Sequence, residues 1–191
     1  MLAFTKEEKE KITSQLISIA YTSLRSTSYK KIKVEDLAKA AGISKGAFYH
    51  FFSSKEQLFY EVMIHTHRQL YGDAIQYLFN KELPPEERLT KAIYQSVLTL
   101  HESGLWDFWQ KDAKEILPKV RPQHLQSQTE REEKLFSAFL QSCPPLKVSK
   151  ELAIKSLQSL IYSSSLYLFY KEDYEQILPM LVKGVCGSIF D

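Results

Sequence analysis

Eight residues in one short stretch have side chains suited to a phosphate-lined groove: Lys33, Ser44, Lys45, Gly46, Ala47, Tyr49, His50 and Lys55. The lysines offer charge to phosphates. Gly46 and Ala47 lack bulk, so a backbone carrying them can approach base edges or a thymine methyl. Lys55 follows Ser53-Ser54, where a helix can begin, and a cation there opposes the helix dipole. A phosphate docked at that point would be attracted both by the lysine and by the unpaired amides. Plainer readings exist for some of these residues. Lys33 belongs with Lys30 and Lys31 to a basic cluster that can be a solvated face, and His50 can be an ordinary exposed histidine.

The elements that must position these residues are two short helices meeting at a glycine. Leu37, Ala38 and Ala41 lie at helical spacing before Gly42, and Ile43, Phe48 and Phe52 continue the apolar set beyond it. Gly42 can take the left-handed backbone of an abrupt turn, where a Cβ would clash. Ser44 stands at an N-cap position. The small Ala38 and Ala41 allow close approach of the two helices. A second helix over 44–51 would turn Phe48 and Phe52, four apart, toward the interior. Lys45, Gly46, Ala47, Tyr49 and His50 are then left for the outer face, as in a helix-turn-helix.

The wording LAKAAGISKGAFYHFFSSKEQLF resembles the DNA-binding domain of the TetR/AcrR family of bacterial regulators. The matching positions are Leu37-Ala38, Ala41-Gly42, Ile43-Ser44, Tyr49, Phe52 and Lys55-Glu56-Gln57-Leu58, and the match covers about residues 8–62. The resemblance implies that Tyr49 and Lys55 anchor phosphates, while Lys45, Ala47 and His50 approach bases. Two positions depart from the family pattern: Lys33 where Thr or Ser is usual, and Ala47 where a small hydroxyl residue is common. No base preference is therefore carried over.

Composition agrees with a folded, helical chain. Of 191 residues, 44% are apolar and 25% charged, with six glycines, seven prolines and no alternating Val/Ile/Thr run. Net charge is only +2, but residues 1–60 hold ten basic side chains against six acidic ones. A basic head on a mildly acidic body suits nucleic-acid contact at one end. Cys143 and Cys186 form no disulfide framework or metal spacing, and His65 and His67, two apart on a helix, point in different directions. His101 and His124 have no metal-ligating residue at a suitable spacing nearby in the sequence. No nucleophile elbow or phosphate-binding glycine loop occurs, so neither enzymatic activity, a cofactor nor a metal is expected. With no signal peptide and no run of eighteen apolar residues, a cytoplasmic protein without membrane contact is expected.

Helices are expected over 6–25, with Thr5 and Glu8 forming a capping box, then over 53–80, 85–102, 105–117, 122–142, 149–171 and 174–190. Ser149 and Asp173 are candidate caps for the last two, and Pro179 implies a late start or a kink. The fold class is all-α. An amino-terminal three-helix helix-turn-helix domain (1–52) is joined through a connecting helix to a carboxyl-terminal helical effector-binding and dimerisation domain (53–191). The last two helices are apolar over too much of their circumference for solvated helices, which points to a homodimer built through them. A twofold pair of heads would read a palindromic duplex operator. Tyr94, His101, Trp106, Trp109, Phe139 and Tyr162 are candidates to line a pocket for a small, largely hydrophobic effector, although such aromatics also serve as packing. The expectation is thus a ligand-responsive regulator, a repressor released by its effector. The alternative is a DNA-bound dimer of the same fold that acts through another protein with no effector.

Overall fold

The computed structural model describes residues 4–191, and they are mostly helical. Ten α-helices occur among them: α1 (Lys6–Leu24), α2 (Val34–Ala40), α3 (Lys45–Phe51), α4 (Lys55–Leu78), α5 (Pro85–Ser103), α6 (Ala113–Ile116), α7 (Pro122–Gln141), α8 (Lys150–Ser163), α9 (Tyr167–Tyr170) and α10 (Tyr174–Ile189). The sole β pairing among the described residues is an isolated antiparallel bridge between Leu146 and Phe190. No described helix is long and apolar enough to cross a membrane.

Helix boundaries follow local chemistry. The Thr5 hydroxyl accepts from the Glu8 amide at 3.2 Å, and Glu8 accepts in return from the Thr5 amide at 2.8 Å, completing the capping box that opens α1. Gly42 adopts φ 71° between α2 and α3, the left-handed turn that a Cβ would strain. The Ser149 hydroxyl accepts from the Leu152 amide at 3.3 Å and caps α8. Asp173 makes no side-chain cap bond to α10. It is itself helical and ends a 3-10 turn that runs into α10, so the entry is already wound. Pro179 lies inside α10, one turn in, and the helix neither starts late nor stops there.

Two expected helices are broken. The 105–117 segment holds a five-residue π-helical turn, Phe108–Asp112, then α6 and a 3-10 turn at Leu117–Lys119 that includes Pro118. The 149–171 segment stops at Ser163 and resumes only as the four-residue α9. Three consecutive serines explain the break. Ser163 Oγ donates to the Leu160 carbonyl at 2.6 Å and Ser165 Oγ to the Tyr162 carbonyl at 2.9 Å, competing with the helical ladder. Lys171, at φ 42°, then occupies a left-handed backbone that a lysine adopts only at some cost.

The chain divides into two compact units. The first comprises residues 1–68 with 103–125, and the second residues 69–102 with 126–191. The first therefore extends past the 1–52 segment and takes in a distant stretch of chain. Its core joins Leu16, Ala20, Leu37, Phe48, Phe52, Leu58 and Phe59 to Leu105, Phe108, Ile116 and Val120. Each large apolar side chain so buried contributes about 1.5–3 kcal/mol. The second unit buries Leu89, Ile93, Val97, Phe136, Phe139, Leu157, Tyr174, Leu178 and Val182 among others.

Candidate nucleic-acid interface

Helix α3 is held from its buried side. Phe48 is 0% exposed and meets Phe52 at 5.9 Å between ring centroids, while Tyr49 stands edge-on to Phe48 at 5.3 Å. That packing turns the rest of the helix outward: Lys45, Gly46, Tyr49 and His50 are exposed, and Ala47 is half-buried. Ser44, also exposed, accepts from the Ala47 amide at 3.0 Å and so fixes the first turn. A Cβ built on Gly46 would meet only Ser44 Oγ, at 3.8 Å, so the residue keeps this surface low rather than relieving strain. Lys33, exposed, is the residue before α2 and makes no side-chain cap bond there. Seven of the eight sequence candidates thus flank or lie on one helix-turn-helix.

Lys55 is placed differently. Its ammonium donates to the Tyr29 carbonyl at 2.6 Å and lies 4.1 Å from the centroid of the Tyr29 ring. Burial pulls its pKa below the ordinary lysine value, against the pull of Glu56 and Asp112. Tyr29 is buried, and its hydroxyl donates to Glu56 Oε1 at 3.0 Å. Burial, then that carboxylate, push the phenol pKa up. Burial would also raise Glu56, but hydrogen bonds from its own amide, from Tyr29 and from Lys119 outweigh it and hold the acid low.

Sequence reasoning missed two sets of partners. Glu35, on α2, pairs with Lys45 Nζ at 2.5 Å, and both side chains are about half-exposed. That hydrogen bond holds Glu35 below its ordinary pKa and raises Lys45. The second set joins the 103–125 segment to the head. Lys30 pairs with Glu115 at 2.7 Å, and Lys119 with Glu56 at 3.3 Å. Neither had a signal in the chain, because helical spacing relates residues three or four apart, not ten or eighty-five.

The effector candidates separate between the units. Trp106 and Trp109 fall in the first, where Trp109 packs on the core and lies 6.1 Å from the His67 ring. His65 instead stands edge-on to Tyr21. Gly104, at φ 72°, interrupts the helix between His101 and Trp106. In the second unit the Tyr94 hydroxyl bonds Glu175, His101 meets Tyr167 at 5.8 Å, Phe139 is wholly buried, and Tyr162 is 77% exposed. Phe139 and Tyr162 therefore do not share one lining. A cleft of about 450 Å³ in this unit is lined by other residues, among them Pro84, Thr90, Pro179 and Lys183.

A three-helix head with a capped, outward-facing third helix, on an otherwise all-α chain, defines a helix-turn-helix protein. Residues 16–62 match the model of bacterial regulatory proteins of the tetR family. Together with the likenesses that follow, this match supports a TetR-family transcriptional regulator, a non-enzymatic family. The chain is 27% identical over 128 residues to the HTH-type transcriptional repressor KstR2 of Mycolicibacterium smegmatis, a match spanning 66% of this chain and 62% of that protein. A putative TetR-family regulator from Mesorhizobium loti shares its fold, with TM-score 0.66 and 19% identity over 98% of this chain and 100% of the other. So does RolR in complex with resorcinol, with TM-score 0.66 and 20% identity over 94% and 90% of the two chains.

Proposed function

We propose that this chain is a homodimeric, ligand-responsive repressor that binds a palindromic duplex operator in the bacterial cytoplasm. The observation that carries the reading is the outer face of α3, small and polar with a lysine and a histidine, backed by a wholly buried Phe48. Such a face can enter a major groove, whereas a solvated helix has no need of adjacent Gly and Ala. Lys45, Ala47 and His50 approach bases. Lys33, Ser44 and Tyr49 position the head on phosphates, and Gly46 lets the backbone come close. Lys55 adds a phosphate contact, since an ammonium has three donors and the Tyr29 carbonyl takes one. The printed name of the KstR2 relative supports repression as the direction of control.

Residues 1–52, with Lys55 just beyond them, carry the duplex-reading role, and the rest of 53–191 the effector and dimerisation roles. Dimerisation through α8 and α10 is supported by Leu152, Met180 and Leu181, all exposed. The hydroxyls beside them favour it too. Ser156 donates to the Leu152 carbonyl at 2.9 Å, Ser159 to Lys155 at 2.9 Å and Ser188 to Gly184 at 2.8 Å. Donors already satisfied within their own helices lose nothing when a partner excludes water. A small effector is supported by the resorcinol held in RolR, and Tyr94 and His101 are the first residues to test for contact with it. The effector can weaken operator binding only by its affinity difference between two conformations; about 1–3 kcal/mol would change it five- to 150-fold. The ion pairs Lys30–Glu115 and Lys119–Glu56 give the 103–125 segment a grip on the head through which such a bias can act.

Selection of duplexes from a random pool by the purified chain tests this. A twofold-symmetric sequence should be enriched, and log affinity should fall linearly with log salt. A chain that binds no duplex at low ionic strength overturns the reading.

A further inference from the structure

We propose that Glu35 is a specificity-determining residue that acts through Lys45, holding the lysine toward base edges and away from phosphates. This rests on the duplex-binding reading above and adds to it a residue that makes the choice between sequences sharper. Glu35 comes from α2 and Lys45 from α3, so their 2.5 Å contact spans the turn between the two helices. The pair is solvent-exposed on both sides, with 54% and 53% of the side chains accessible, so burial does not explain it. A carboxylate is also the wrong charge for a surface that meets phosphates, and two lysines of that surface, Lys45 by its hydrogen bond and Lys33 by its charge, hold its pKa low.

Chemistry gives that misplaced charge a use. An ammonium has three donors, and Glu35 occupies one. The remaining two keep a fixed direction, which suits the paired acceptors of guanine in the major groove. Against an unsuitable base the lysine cannot simply swing to a phosphate, because it must first leave the carboxylate. The carboxylate itself repels phosphates at every sequence. Glu35 therefore lowers affinity for mixed sequence while orienting Lys45 for the right one. A contact made only to phosphates would lack this asymmetry, since phosphates carry no sequence information.

The test compares affinity for the duplex selected by the wild-type chain with that for mixed-sequence duplex, across a salt series. Glu35→Gln should bind mixed sequence about three- to tenfold more tightly with a salt slope steeper by about one, and should bind the selected duplex no better. In a Lys45→Gln background the same change should move the ratio of the two affinities less than twofold, because the residue it acts through is gone. Asp36→Asn, which removes an exposed charge next to Glu35 on α2, should leave the ratio in place. An unchanged ratio in Glu35→Gln, an equal change in Asp36→Asn, or an equal change without Lys45 overturns the inference while wild-type binding stands. Failure of the selection to enrich any duplex overturns both the inference and the reading beneath it.

Discussion

Helices α3 and α10 solve the same problem with opposite outer faces. Both bury one apolar side within their own unit: α3 through Phe48, and α10 through Tyr174, Leu178, Val182, Cys186 and Ile189. Outward, α3 offers Lys45, Tyr49 and His50, whereas α10 offers Met180 and Leu181. A polar and cationic face stays hydrated until it meets phosphate. An apolar one gains by being covered, at about 25 cal/mol per Å² removed from water. The contrast is what the proposed function asks of these two surfaces, nucleic acid as partner for one and a second copy of the chain for the other.

Because the chain's two tryptophans both lie in the first unit, their fluorescence follows that unit, while far-UV circular dichroism follows both. Phe48→Ala should have the largest effect, costing the first unit about 3–5 kcal/mol through lost burial and a cavity. The fluorescence midpoint in denaturant should fall well before the helical signal of the second unit. Coincident loss of both signals would mean that the two do not unfold separately.

Acid should come next. Burial lowers His67 from 6.5 to about 4, so its neutral form is favoured in the folded state. The unfolded chain then binds the extra proton first, and stability present above pH 6.5 is lost as pH falls toward 4, by up to about 3 kcal/mol. His67→Phe should flatten the fluorescence midpoint between pH 6.5 and 4.5, a window above the lowered carboxylates Glu56 and Glu115. A slope unchanged in that variant would place the titration elsewhere.

The smallest effect belongs to the other helix. Met180, 74% exposed, should tolerate Met180→Glu with fluorescence unfolding intact, yet the dimer should weaken about tenfold or more in sedimentation. A dimer indifferent to the change would remove α10 from the interface.

Much of the fold was legible in residue order because it depends on neighbours. The capping box at Thr5, the turn at Gly42, the Ser44 cap and the inward Phe48 each follow from spacings of a few residues, where backbone geometry alone decides who meets whom. Even the helix breaks at 108–112 and 163–166 arise locally, but there periodicity and chain chemistry disagree, and the pattern of apolar residues favours the wrong one.

What lay outside the sequence was every meeting across distance: Glu35 with Lys45 over the turn, Tyr29 with Glu56, and Lys30 and Glu56 with the 103–125 segment. Helical periodicity says which side of a helix is apolar and nothing about which helix it will face. Charge pairs at the surface leave still less trace, because each member is equally at home in water until the fold sets the other beside it. The chain by itself thus determined that there would be a basic helix-turn-helix with a capped outer helix. Only the tertiary structure decided that Lys45 is held by a carboxylate and that a segment some fifty residues further on completes the head's core.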